Sequence, residues 1–109
     1  MTERVRFMRL FVFFDLPVVT AAQRRAHARF RKFLVKEGYI MMQESVYTKL
    51  AINDRVVASY IDKLKANRPP EGLVQALRVT EQQYAEMKYI VGKRPDGEVL
   101  EDTETLVVL

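Results

Sequence analysis

The chain has 109 residues, no cysteine and a formal net charge of +4, with 49% apolar and 29% charged residues. Those values fit one compact domain with its own core, and they exclude disulfides, thiolate metal sites and the composition of a disordered chain. The charge is uneven: residues 1–36 carry nine Lys/Arg against Glu3 and Asp15, while the last fifteen hold five acids and no base. A basic front half makes a directional positive surface, for which nucleic acid is the commonest partner. The charged opening, Met-Thr-Glu-Arg-Val-Arg, lacks a small-residue cleavage site, and the apolar run behind it is far short of a membrane span. A soluble protein of the cytoplasm is expected, with no membrane partner.

The first element is the run Leu10-Phe11-Val12-Phe13-Phe14, which ends in Asp15-Leu16-Pro17. An unbroken apolar run predicts a strand buried on both faces, and the proline stops its pairing. Asp15 therefore stands at the carboxyl end of a buried strand, where ligands and catalytic groups often collect. Two readings stay open for it: a functional carboxylate, or simply the start of a turn.

Residues 20–37 predict the first helix, with Thr20 and Gln23 as a capping box and Gly38 as the residue that ends it. Ala22, Ala26, Phe30, Phe33 and Leu34 fall on one face. Arg25, Arg29, Lys32 and Lys36 form a stripe on another, with Arg24 and Arg31 further round. Like charges at this spacing repel unless something anionic lies along them, and no acid stands between Leu16 and Lys36. The stripe and Arg24 are thus candidates for tracking phosphates, against the plainer reading of a solvated face. His27, the only histidine, falls near the boundary of the inner face and reads as packed or surface rather than catalytic.

Two strands are expected in residues 39–42 and 45–50, broken by a turn or bulge at Gln43-Glu44. Asn53 or Asp54 caps a second helix running to Ala66, with Val57, Tyr60, Ile61 and Leu64 inward. Pro69-Pro70-Glu71-Gly72 ends it. Residues 73–80 form a strand, Thr80 caps one helical turn over residues 81–85, and residues 87–91 are extended again. Arg94-Pro95-Asp96-Gly97 is a turn, followed by an acidic stretch and the apolar end Leu106-Val107-Val108-Leu109.

The order strand, helix, strand, strand, helix, strand predicts an α+β, ferredoxin-like βαββαβ sandwich with an extra C-terminal strand. Residues 1–92 make the ferredoxin-like domain, and residues 93–109 join it as a turn and an edge-pairing tail strand. Two helices cover one sheet face only, yet the first strand is apolar on both. A homodimer with sheets packed face to face resolves this, and residues 106–109 would add to a sheet edge, the partner's or the chain's own. Such a dimer brings two Asp15 side chains together. Paired carboxylates repel unless a proton or cation lies between them, and Mg²⁺, which takes one or two carboxylates plus water and phosphate oxygens, fits phosphodiester chemistry.

Three stretches carry a resemblance: Leu10-Phe11-Val12-Phe13-Phe14-Asp15-Leu16-Pro17, Phe30-Arg31-Lys32-Phe33-Leu34, and Gly38-Tyr39-Ile40-Met41-Met42-Gln43-Glu44-Ser45-Val46-Tyr47. With Pro69-Pro70-Glu71-Gly72-Leu73-Val74-Gln75 and Val79-Thr80-Glu81-Gln82-Gln83-Tyr84, they resemble the CRISPR-associated Cas-two family, most closely its type II versions. The match spans roughly residues 9–92. The resemblance implies a ferredoxin-like homodimer that works with the Cas-one integrase in spacer acquisition, bridging integrase dimers and holding prespacer DNA. It also implies a Mg²⁺-dependent nuclease acting on RNA or DNA, with Asp15 as metal ligand and catalytic residue. Some relatives use an arginine just before the segment matching Gln43-Glu44-Ser45-Val46-Tyr47; Met41-Met42 stands there in this chain.

Two functions follow: an endonuclease (endoribonuclease) centred on Asp15, or a structural DNA-binding adapter that needs only the dimer and the basic surface. No general base is evident beside Asp15, and the four glycines are too scattered for a phosphate loop. An RNA-recognition module shares the βαββαβ order, but its Lys/Arg-Gly-aromatic-Gly-Phe-Val motif is absent.

Overall fold

The structure is a computed structural model and describes residues 7–95. Its elements in chain order are β1 (Met8–Asp15), α1 (Ala21–Lys36), β2 (Ile40–Gln43), β3 (Val46–Ala51), α2 (Asp54–Ala66), β4 (Leu73–Thr80) and α3 (Glu81–Ala85). The four strands form one antiparallel sheet in the order β2-β3-β1-β4, the ferredoxin-like arrangement. β1 is one of the two inner strands, flanked by β3 and β4, in keeping with its unbroken apolar run.

Alternation along β1 divides the molecule. Met8, Leu10, Val12 and Phe14 point into the helix-covered core with Phe30 and Leu34 of α1 and Val57 and Leu64 of α2. Phe14 meets Phe30 edge-on, with ring centroids 5.2 Å apart. Arg9, Phe11 and Phe13 alternate onto the opposite face. That face is partly covered from within the chain, by α3. Tyr84, 1% exposed, packs on Phe11 and lies under the Arg9 guanidinium at 4.0 Å. Arg9, itself 3% exposed, donates from Nε and Nη2 to both carboxylate oxygens of Glu81 at 2.9 and 2.8 Å.

The caps fall where the local chemistry calls for them. Thr20 and Gln23 form the expected capping box of α1, and Gly38 follows the helix at φ 95°. Asn53, rather than Asp54, caps α2, its Oδ1 accepting from the Val56 amide at 2.9 Å. Thr80 and Gln83 make a second capping box on α3. The break falls one residue later than expected, as a two-residue turn at Glu44-Ser45, and it is accompanied by a register shift between Met41 and Gln43.

Two expectations are corrected. Ala22 is exposed, and on α1 only Phe30 and Leu34 are fully buried. Residues 87–91 form no strand among the described residues; Ile90 and Val91, 89% and 91% exposed, point to solvent. The turn at residues 94–97 runs past the described residues, and the edge strand expected at residues 106–109 lies outside them. No helix among the described residues is long and apolar enough to cross a membrane.

Candidate active site and nucleic-acid interface

Asp15 is the last residue of β1 and is exposed. In register it faces Leu73, the first residue of β4. Alternation puts it on the side of Arg9, Phe11 and Phe13, the face opposite the helices. The next residue, Leu16, is 8% exposed and turns back into the core, so the strand end is anchored immediately behind the carboxylate.

The loop after Asp15 is tied down by α1. Gln23 Oε1 accepts from the Val19 and Thr20 amides at 2.9 and 3.0 Å, while Thr20 Oγ1 accepts from the Gln23 amide at 3.1 Å. Gln23 Nε2 also donates to Glu71 Oε2 at 3.4 Å, joining this loop to the turn before β4. Arg24 Nη1 donates to the Val19 and Val18 carbonyls at 2.8 and 3.3 Å. Of the six Lys/Arg side chains on α1, Arg24 thus holds the loop, and Arg31 donates from Nε to the Tyr47 hydroxyl at 3.1 Å.

Arg25, Arg29, Lys32 and Lys36 are all exposed, and among the described residues none makes an ion pair. They remain a continuous cationic stripe on the outside of the helix layer. The structure does not bring that stripe and Asp15 onto one surface: the aspartate emerges on the open sheet face, the stripe on the far side of the helices. His27 is half-buried against Phe14, with ring centroids 6.0 Å apart, a packed histidine.

At the other end of the helix layer Lys49 lies over the Tyr60 and Tyr39 rings, at 4.2 and 5.4 Å. Burial pushes its ammonium below the usual lysine value; Lys63 adds to this and Glu37 opposes it. Burial likewise pushes the Tyr39 phenol well above the usual tyrosine value, helped by Tyr60 and Glu37.

Among the described residues no group of three or more His, Asp or Glu side chains converges as a metal site within one chain. Asp15 supplies a single hard, exposed carboxylate. Its chemistry suits Mg²⁺ only where a second copy adds another carboxylate and water and phosphate oxygens complete the shell. The open face offers a surface for such a copy. It holds a groove of about 260 Å³ lined by Phe11, Phe13, Met42, Val46, Leu77 and Tyr84. Leu73 and Leu77, each 53% exposed, continue it towards Asp15.

Residues 8–87 match the family model of CRISPR associated protein Cas2. The chain belongs to this family. Relatives named "CRISPR-associated endoribonuclease Cas2" share 50% identity in Treponema denticola, covering 94% of this chain and 100% of the relative, and 44% in Streptococcus mutans serotype c, covering 94% and 93%. A third, from Acidovorax ebreus, shares 49% over 78% of this chain and 83% of its own. Within the Cas2 fold, two of the motifs that carried the resemblance meet in space: Arg31, from Phe30-Arg31-Lys32-Phe33-Leu34, bonds Tyr47 of the Gln43–Tyr47 motif. Sequence reasoning had set Arg31 aside. The signal available was its place a turn and a half past Arg25, on the flank of α1 that turns towards β3.

Proposed function

We propose that this Cas2 protein is a Mg²⁺-dependent endonuclease, acting on RNA as the relatives' names state for them, and that it works in spacer acquisition as a homodimer. The position of Asp15 carries this reading: an exposed carboxylate at the end of a doubly buried strand, on the apolar sheet face that a second copy would cover. Face-to-face pairing sets two Asp15 side chains near one axis, where they are the residues to hold Mg²⁺. When bound, that ion supplies charge neutralisation for a phosphodiester and its leaving oxygen.

The remaining residues bind and orient. Arg25, Arg29, Lys32 and Lys36, with Arg24 close by, hold phosphates along α1, and the duplex they suit is the prespacer DNA. The Cas-one integrase is the protein partner in that role, supported by the family resemblance rather than by a surface of this chain.

The test is cleavage of single-stranded RNA and of duplex DNA, with and without Mg²⁺, by wild type and Asp15→Ala, with dimerisation of both checked by light scattering. Mg²⁺-dependent cleavage that vanishes in a still-dimeric variant is expected. Equal activity in both, or none in either, would leave the chain as a structural DNA-binding adapter of the integration complex.

A further inference from the structure

We infer that Gly72 is the positioning residue of Asp15, an inference that rests on the reading of Asp15 as the metal-holding carboxylate. β4 begins at Leu73, opposite Asp15, so the turn before it must close directly onto the end of β1. It does so without a side chain. A Cβ at position 72 would stand 2.8 Å from Leu16 Cδ2, 2.9 Å from the Asp15 carbonyl oxygen and 3.1 Å from Leu16 Cα.

Two of those three atoms are backbone, and no rotamer change moves them. The third belongs to Leu16, which is buried in the core and has little room to yield. Any side chain at 72 therefore displaces the strand end that carries Asp15. Restoring an ordinary 3.4 Å contact from 2.9 Å requires a shift of about 0.5 Å at the Asp15 carbonyl. The approach is rigid from the other side too. Pro69 and Pro70 each fix a φ in the turn, and Glu71 is bonded by Gln23 of α1, whose side chain also holds the loop that follows Asp15. Turn and loop grip the same strand end, and the contact at Gly72 sets the distance between them.

The backbone at Gly72 is also left-handed, φ 103°, so any substitution there carries a conformational penalty unrelated to Asp15. Gly38 separates the two effects. It has nearly the same φ, 95°, yet a Cβ there meets only Lys49 Cε at 3.8 Å. Gly38→Ala measures the left-handed penalty alone; Gly72→Ala adds the collision.

The experiment compares the two variants with wild type in crystal structures and in Mg²⁺-dependent RNA cleavage kinetics, each below its own melting temperature. In Gly72→Ala the Asp15 backbone moves by about 0.5 Å or more, and kcat falls about 10- to 100-fold with KM unchanged. Gly38→Ala keeps the wild-type Asp15 position and kcat. Should Gly72→Ala not fold, Gly72→Asn and Gly38→Asn repeat the pair with the residue that best tolerates positive φ. An Asp15 that stays in place in the Gly72 variant, or equal kcat losses in both variants, overturns the inference. If wild type cleaves nothing, the nuclease reading fails by itself, and the displacement of Asp15 in the crystal still decides what Gly72 does.

Discussion

The four free cations of α1 make a quantitative claim about salt. From Arg25 to Lys36 is eleven residues, about 16 Å along the helix axis. One strand of a duplex places a phosphate every 3.4 Å or so, about five over that length, so four side chains can each meet one. Neutralising four phosphates releases their counterions and gives a slope of log affinity against log salt of about −3.6 for one helix. If both helices of a dimer contact the same duplex, the slope is about −7. For one helix, raising NaCl from 50 to 200 mM then weakens duplex binding by about 150-fold. Replacing Arg25, Arg29, Lys32 and Lys36 with Gln should abolish that dependence, and each single replacement should remove about 0.9 from the slope. Fluorescence anisotropy of a labelled duplex at five or six salt concentrations measures it. A quadruple variant with the wild-type slope would show that the phosphates lie elsewhere.

Glu81→Gln takes the bidentate carboxylate away from the buried Arg9 guanidinium. The Glu81 side chain is 33% exposed, which softens the loss to about 2 kcal/mol; urea unfolding should show it, and adding Arg9→Met should recover most of it. Thr20→Ala removes the α1 cap and should cost about 1 kcal/mol in the same assay. For pH, the Lys49 value is depressed in the fold, so stability rises as pH climbs from its folded value to the unfolded value near 10.5. Tyr39 is raised instead, so its contribution is whole below about 10 and is lost as pH rises beyond that. Urea midpoints between pH 8 and 11.5 should therefore climb and then fall; Lys49→Met should flatten the climb and Tyr39→Phe the fall.

Local chemistry was legible in the sequence. The Thr20–Gln23 box, the Thr80 cap, the Gly38 stop and the bounds of β4 and α3 depend on residues within a few positions of each other. What the sequence hid depends on distant neighbours. The apolar second face of β1 called for a cover, and a second copy was the simplest one. α3 supplies part of it, through Tyr84 and the Arg9–Glu81 pair, whose members are 72 positions apart. Arg24 and Arg25 are indistinguishable as letters, yet one holds the Val18 and Val19 carbonyls and the other is free for solvent or phosphate. At Gly72 the turn was evident, but its contact with Asp15 arises from the pairing of β4 beside β1.

Register also decides how the two halves of the candidate site relate. Asp15 is an odd-numbered residue of β1, like Arg9, Phe11 and Phe13, whereas the residues under α1 are Leu10, Val12 and Phe14. Had the acid stood one position earlier or later, it would have pointed into the buried core, as Phe14 and Leu16 do, with the helices still between it and the cationic stripe. Instead the carboxylate and the stripe lie on opposite sides of the chain, with the Arg24-held loop joining the end of β1 to the amino end of α1. On the proposed reading, binding and cleavage are therefore separable functions of this fold. Placing the carboxylate and the stripe on different surfaces leaves room for the two proposed roles, holding a duplex and cutting a single strand, on one chain.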